Sequence, residues 1–155
     1  MPNYYKLSST VHNSVSGDFI SDCIKQEVYE FCVNSSKRLA NFRLMKPGDV
    51  CWTRIKQGKT YNDTDQVWRL DIVSQSTQVQ QVKLKDVLMW KHKADCDKIG
   101  EDPESYESCM YLTGKWTYEG TFGEMSTLSK SIFNKRAFPR TAIRLDEPIS
   151  FSRSI

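Results

Sequence analysis

The fold is decided by the stretch Asn34-Ser-Ser-Lys-Arg-Leu-Ala-Asn-Phe-Arg-Leu-Met-Lys-Pro-Gly-Asp-Val-Cys-Trp-Thr-Arg-Ile55. It contains a polar turn, a basic segment, and a second, tight turn that leads into a strand. In the tight turn, Pro47 presets φ at the second position, Gly48 accepts a positive φ, and Asp49 can accept hydrogen bonds from nearby amides. Val50–Ile55 then has the composition of a strand. The stretch therefore predicts a turn that fixes the start of a central strand.

Length and composition predict a single domain over residues 1–155. The chain is 39% hydrophobic and 26% charged, which is typical of a globular protein. No run approaches the ~18 apolar residues of a membrane span, and the N-terminal residues do not resemble a signal peptide. The five cysteines have no framework spacing, which favours reduced thiols. We therefore expect an intracellular protein, cytoplasmic or nuclear, with no membrane partner.

Charge is distributed unevenly along the chain. The net charge of +3, from 22 basic and 19 acidic residues, is too small to indicate nucleic-acid binding by itself. Acidic residues concentrate in a predicted surface loop at about 94–109, and basic residues concentrate at 38–59 and again at 130–144. The first of these basic groups is a candidate for contacts with phosphate.

The pattern along the chain predicts an α+β fold with a curved sheet or barrel. A helix is expected at 18–32, where apolar residues recur at helical spacing after a potential N-cap at Asp18. The other expected helices lie at 37–45 and 125–132. The expected strands lie at 4–9, 50–55, 67–73, 78–84 and 87–91, and residues 142–151 are expected to form a strand, a proline break and another extended segment. Trp68 falls in the middle of one strand, which predicts that it is buried.

Short motifs, taken in order, resemble the EVE and YTH domains of the PUA-like superfamily. After a strand and a helix come an Asn-rich turn, the triplet Asn41-Phe42-Arg43 and the turn Met45-Lys-Pro-Gly-Asp49. The segment Phe138-Pro-Arg140 followed by Ile143-Arg-Leu145 is similar to the closing strand of many bacterial EVE domains. The resemblance covers about residues 3–80 and returns at 136–149, whereas the middle of the chain matches no pattern of the family.

The resemblance implies a PUA-like pseudo-barrel that binds nucleic acid, DNA or RNA, without catalysis or cofactor. In this family a flipped or single-stranded base, often methylated, enters an aromatic cage, where stacking contributes ~1–3 kcal/mol per base. The expected base-binding residues are Asn34, Ser35, Phe31, Trp52 and Trp116. The expected phosphate-binding residues are Arg38, Arg43, Lys46, Arg54 and Lys56. The chain departs from the family pattern where Trp52-Thr-Arg54 replaces a Tyr-His-Ser motif of EVE domains.

Catalytic alternatives have weaker support in the sequence. His12 and His92 are the two histidines, and neither lies near a nucleophile motif. A zinc site built on His92, Cys96 and Cys109 would lack a paired Cys-x-x-Cys motif. We therefore expect no metal site of this kind.

Two other functions remain open at this stage. Asp71 followed by Gln81-Val-Lys83 faintly echoes the carboxylate and lysine pattern of metal-dependent nucleases. The acidic loop could instead be the contact surface of a protein-interaction module. A binding module is favoured over an enzyme, with nucleic acid as the expected partner and a protein as the alternative.

Overall fold

The computed structural model describes residues 2–7, 16–32, 44–55, 62–75, 79–88, 104–134 and 143–152. The helices are α1 (Ser16–Gln26) and α2 (Thr127–Asn134). The strands are β1 (Tyr4–Lys6), β2 (Val28–Cys32), β3 (Val50–Ile55), β4 (Gln66–Gln75), β5 (Gln80–Lys83), β6 (Tyr106–Thr121) and β7 (Ile143–Leu145). The α+β class is therefore confirmed. None of the helices in the described ranges is long and apolar enough to cross a membrane.

The described strands form one open sheet and do not close into a barrel. Their order is β2-β6-β4-β3-β1-β7, and β5 pairs with the N-terminal part of β6. The β1–β3 pair is parallel, and the other pairs are antiparallel. Because β1 also pairs with β7, segments from both ends of the chain join the same sheet.

The Pro-Gly turn before β3 has the geometry that the sequence predicts. Gly48 has a φ of 95°, and the Asp49 amide donates to the Lys46 carbonyl at 3.0 Å, which together define a type II turn. The buried Asp49 carboxylate accepts from the Lys46 amide at 3.1 Å and from the Asn3 amide at 2.9 Å. The Gly48 amide donates to the Ile72 carbonyl at 2.9 Å, so the turn is fastened to β4.

Side chains alternate between two covered faces of the sheet. Residues that are opposite one another in neighbouring strands share a face, so Cys51, Leu70 and Trp116 lie in one row. All three belong to the larger buried cluster, which also contains Cys23 of α1, and we call this side the α1 face. The next row contains Trp52, Arg69 and Thr117. Trp52 belongs to the smaller cluster, together with Phe133 of α2, and we call this side the α2 face.

The predicted helix at 18–32 is wrong in its second half. Helix α1 ends at Gln26, Glu27 adopts a φ of 57°, and residues 28–32 form strand β2 instead. β2 pairs with residues 109–113 of β6. Valine, tyrosine and phenylalanine fit a paired strand well, so tertiary pairing overrides the helical spacing of these residues.

The acidic loop and the other predicted elements agree with the structure in part. Residues 106–109, assigned to the loop from sequence, are the start of β6, whereas 89–103 lie outside the described residues. The predicted strands at 50–55, 67–73 and 78–84 correspond to β3, β4 and β5, and the helix at 125–132 corresponds to α2. Helix α1 begins two residues before Asp18. Most of the predicted helix at 37–45 lies outside the described ranges.

Candidate nucleic-acid interface

Trp52 and Trp116 do not line a common pocket, because the strand register places them on opposite faces of the sheet. Trp52 is opposite Arg69, and Trp116 is opposite Leu70, the neighbouring residue of β4. Trp52 is 1% exposed and Trp116 is 8% exposed. The indole N–H of Trp116 donates to the Val28 carbonyl at 2.9 Å, which fixes this ring against β2. Both rings are therefore core side chains in this structure.

Trp52 is covered on the α2 face by its neighbours. The Tyr4 ring centroid lies 5.9 Å from that of Trp52, and the Arg69 guanidinium carbon lies 5.9 Å from the Trp52 ring. Arg69 is held there by Asp71 at 2.8 Å and by Glu119 at 3.8 Å. The hydrogen bond to Asp71 is the main cause of the raised pKa of Arg69. A base could reach Trp52 only after Arg69 moved.

Arg54 is an internal side chain, so its assignment as a phosphate ligand is corrected. It is 5% exposed, and its Nε donates to the fully buried Asp65 carboxylate at 2.8 Å. A second bond runs from Nη2 to the Asn62 carbonyl at 3.3 Å, and the guanidinium carbon lies 3.6 Å from the Phe122 ring centroid. This ion pair ties β3 to the start of β4.

Of the other predicted phosphate-binding residues, the structure describes Lys46, which is exposed at the Pro-Gly turn. Arg38, Arg43 and Lys56 lie outside the described residues, as do Asn34 and Ser35 from the base-binding set. Phe31 lies in β2, but its side chain is outside what the structure describes. The roles assigned to these residues, including Lys46, stay predictions.

Two aromatic side chains that reach solvent, Trp68 and Tyr118, lie side by side on the α1 face. Thr53, Trp68 and Tyr118 occupy one row across β3, β4 and β6. Tyr118 is 47% exposed, and Trp68 is half-buried rather than buried as the sequence predicts. The two ring centroids are 5.5 Å apart with an interplanar angle of 62°, an edge-to-face arrangement. We call Thr53, Gln66, Trp68 and Tyr118 the aromatic patch.

Polar groups accompany the two rings of the aromatic patch. The Trp68 indole N–H donates to Oε1 of Gln66 at 2.9 Å, which orients both side chains. The Thr53 side chain is 0% exposed, and its hydroxyl has no hydrogen-bond partner among the described residues. Buried hydroxyls are usually paired, so an unpaired one beside an accessible aromatic ring calls for an explanation. Because the Thr53 hydroxyl is inaccessible to solvent, a ligand could pair with it only after neighbouring side chains moved.

Sequence reasoning missed Trp68 and Tyr118, although part of the signal was present. Val67 and Arg69 flank Trp68, so alternation puts Trp68 on the face opposite both of them. The alternation does not say how far each face is covered. That depends on which neighbouring strand covers the face, and the pairing of Trp68 with Tyr118 of β6 cannot be read from local sequence.

The nuclease pattern is not assembled in the structure. Asp71 is opposite Lys115, whereas Gln81 is opposite Ser108, so the two positions lie roughly 20 Å apart along β6 at ~3.3 Å per residue. Asp71 is bonded to Arg69, and Gln81 is bonded to Ser108 at 2.9 Å. Within the described ranges, no group of three or more His, Cys, Asp or Glu residues is arranged to hold a metal ion. His12, His92 and Cys96 lie outside those ranges.

The C-terminal end of the acidic loop forms ion pairs with lysines at the end of β5 and just after it. Glu104 contacts Lys85 at 2.6 Å and Lys83 at 2.8 Å. A hydrogen bond from Lys83 contributes most to the lowered pKa of Glu104. The raised pKa of Lys85 comes mainly from its hydrogen bond to Glu104. These groups are exposed, so the pairs position the loop end more than they stabilise the fold.

Comparison with family models, with curated proteins and with solved structures finds no match for this chain.

Proposed function

We propose that this protein is a non-catalytic nucleic-acid-binding module that stacks an unpaired base on the aromatic patch. The observation that carries the proposal is the pair Trp68 and Tyr118, two neighbouring rings that reach solvent from adjacent strands. Aromatic side chains on a sheet are a recurrent platform for single-stranded nucleic acid, because every base has a face that can stack. A paired sheet also holds both rings in fixed positions.

The polar groups of the patch suit a base better than a purely apolar ligand. Bases carry carbonyl, ring nitrogen and amino groups on their edges, which can pair with hydroxyl and amide side chains. The Thr53 hydroxyl and the Gln66 amide lie on the same face as the two rings. In this proposal the half-buried Gln66 side chain contacts the base edge, and the stacking itself provides most of the affinity.

Kinship with the EVE and YTH domains belongs to the same proposal. Its support is the confirmed α+β class, the order of β1, α1 and β3, and the type II turn at 46–49. The base site then differs from the one that the resemblance implies, because Trp68 and Tyr118 take the place of Trp52 and Trp116. Preference for a methylated base is a further part of the proposal that binding measurements can test directly.

Fluorescence anisotropy with labelled single-stranded DNA and RNA oligonucleotides, methylated and unmodified, tests the proposal. We expect wild-type protein to bind at low salt and to lose affinity as salt rises, because phosphate contacts release counterions. Tyr118→Ala should weaken binding about 5- to 150-fold, corresponding to the ~1–3 kcal/mol of one stacked base.

Tyr106→Ala is the matched control. Tyr106 lies on the same strand and is 62% exposed, but it is opposite Lys83 at the other end of β6. We expect this variant to bind as the wild type does. Absence of binding by the wild type at low salt, or equal losses in the two variants, would refute the proposal.

A further inference from the structure

Two cysteines are opposite one another in the antiparallel pair formed by β2 and β6. The register aligns Cys32 with Cys109 at the end of β2. Directly opposed residues of antiparallel strands have Cα atoms about 4.5 or 5.5 Å apart. Disulfides span Cα separations of roughly 4.4–6.8 Å, so this backbone position is compatible with a cross-strand bridge.

The other cysteines in the described ranges lack such a partner. Cys51 is opposite Leu70 on one side and Tyr5 on the other, and its thiol contacts the Met45 sulfur at 3.8 Å. Cys23 lies on α1 within the larger core cluster. Burial raises the pKa of the Cys23 and Cys51 thiols, and neither residue is opposite a second cysteine in a strand pair of the described sheet.

We propose that Cys32 and Cys109 form a reversible disulfide and are a redox modification site of this protein. The oxidant is a small-molecule disulfide such as oxidised glutathione. One cysteine thiolate attacks a sulfur of the oxidant, forming a mixed disulfide and releasing one glutathione thiolate. The second cysteine thiolate attacks the mixed disulfide, forming the protein disulfide and releasing the other glutathione thiolate. The protein loses two protons and two electrons, and the oxidant is reduced to two thiols.

The position of the bridge suggests what it changes. β2 is an end strand of the described sheet, and β6 is its one strand neighbour in that order. A bridge at Cys32 would fasten this strand covalently, at the residue from which the chain continues to Asn34 and Ser35. Cys109 is 0% exposed, so exchange requires the edge strand to open or the chain to be folding. The bridge is therefore expected to form slowly on the native protein and readily during oxidative refolding.

Refolding of the reduced, denatured chain in a glutathione redox buffer, followed by peptide mapping without reduction, tests this site. We expect a linked peptide pair containing Cys32 and Cys109 that disappears on adding dithiothreitol. We also expect oxidised protein to melt roughly 5–15 °C above reduced protein, because a bridge over a long loop restricts the unfolded chain. The Cys32→Ser variant should show neither the linked peptides nor the shift.

Cys96→Ser is the matched control, and it should keep both the linked peptides and the shift. A separate readout on the reduced proteins, circular dichroism, checks that the variants fold. The proposal is overturned if the refolded wild type contains no intrachain bridge, or if mapping assigns its bridge to a different pair of cysteines.

Discussion

Trp52, Trp68 and Trp116 are the same residue type on three neighbouring strands, yet they differ in accessibility. Trp52 and Trp116 are almost fully buried, whereas Trp68 is half-buried beside the exposed Tyr118. Strand alternation in the sequence assigns each residue to one of two faces. It does not show that Arg69 and Tyr4 cover Trp52, because these contacts come from other strands. The aromatic character of the proposed site could therefore be predicted, but the particular residues could not.

The buried ion pair between Arg54 and Asp65 gives a prediction about stability. Asp65→Asn should lower the free energy of unfolding by roughly 3–5 kcal/mol, because it leaves the 5% exposed Arg54 without its carboxylate. Urea denaturation measures the loss. Asp71→Asn is the control, since the Arg69–Asp71 pair is about 40% exposed and should contribute no more than ~1 kcal/mol. Similar losses in both variants would contradict the structural role assigned to Arg54.

Lys6 gives a prediction about pH. Its Nζ donates to the Phe133 carbonyl at 3.2 Å and to the Ile132 carbonyl at 3.3 Å, in the last turn of α2. Burial, with a contribution from Arg54, lowers the pKa of Lys6 from 10.5 to about 8. Between these two pH values the unfolded chain binds more protons than the folded one. The Lys6 contribution to stability should therefore rise with pH across that window.

Comparison with Lys6→Met isolates this effect, because the thiols that also titrate at high pH are the same in both proteins. We expect the unfolding free energy of the variant minus that of the wild type to be largest below pH 8 and to fall as pH approaches 10.5. Urea denaturation over this pH range provides the measurement. A difference that does not change with pH would show that Lys6 titrates normally in the folded state.

At the scale of elements, local patterns located β3, β4, β5 and α2 to within a few residues, whereas pairing decided the rest. Residues 28–32 fit both a helix and a strand by composition, and they form β2 because β6 lies beside them. β6 itself, 16 residues long, was not recognised as a strand. Gly114 and Gly120 interrupt its pattern, and its register with β4 shifts twice. Strands with bulges do not keep a simple alternation of apolar and polar residues.

Gly114 and Gly48 give a prediction about these elements. A Cβ at Gly114 would collide with the Asp71 carbonyl oxygen of β4, so Gly114→Ala should destabilise the protein by at least ~2 kcal/mol. A Cβ at Gly48 meets no atom within 4 Å, but the φ of 95° is unfavourable for alanine, and the expected cost is about 1–2 kcal/mol. Thermal or urea denaturation compares the two. A smaller loss at Gly114 than at Gly48 would contradict the close packing of β4 on β6.

At the scale of the whole molecule, the sequence predicted the α+β class, but not the way in which the sheet is assembled. The described sheet is open, and a parallel β1–β3 pair joins its N-terminal strand to its centre. Closure and strand order depend on pairings between segments far apart in the chain, which periodicity cannot show. Asp71 and Gln81 are close in sequence and lie on consecutive strands, yet their partners on β6, Lys115 and Ser108, are seven residues apart. The side chains that can form a site together are therefore identified from the strand order and register, and not from their spacing in the sequence.

The most direct test of the central claim is to follow the four tryptophan indole N–H signals by two-dimensional NMR while single-stranded oligonucleotide is added. Tryptophan-to-phenylalanine variants assign the signals. The proposed site predicts a saturable shift of the Trp68 signal, lost in Tyr118→Ala, with little change at Trp52 and Trp116. Nucleic acid that binds while the Trp68 signal stays in place, or that shifts the Trp52 signal most, would contradict the aromatic patch as the base-binding site.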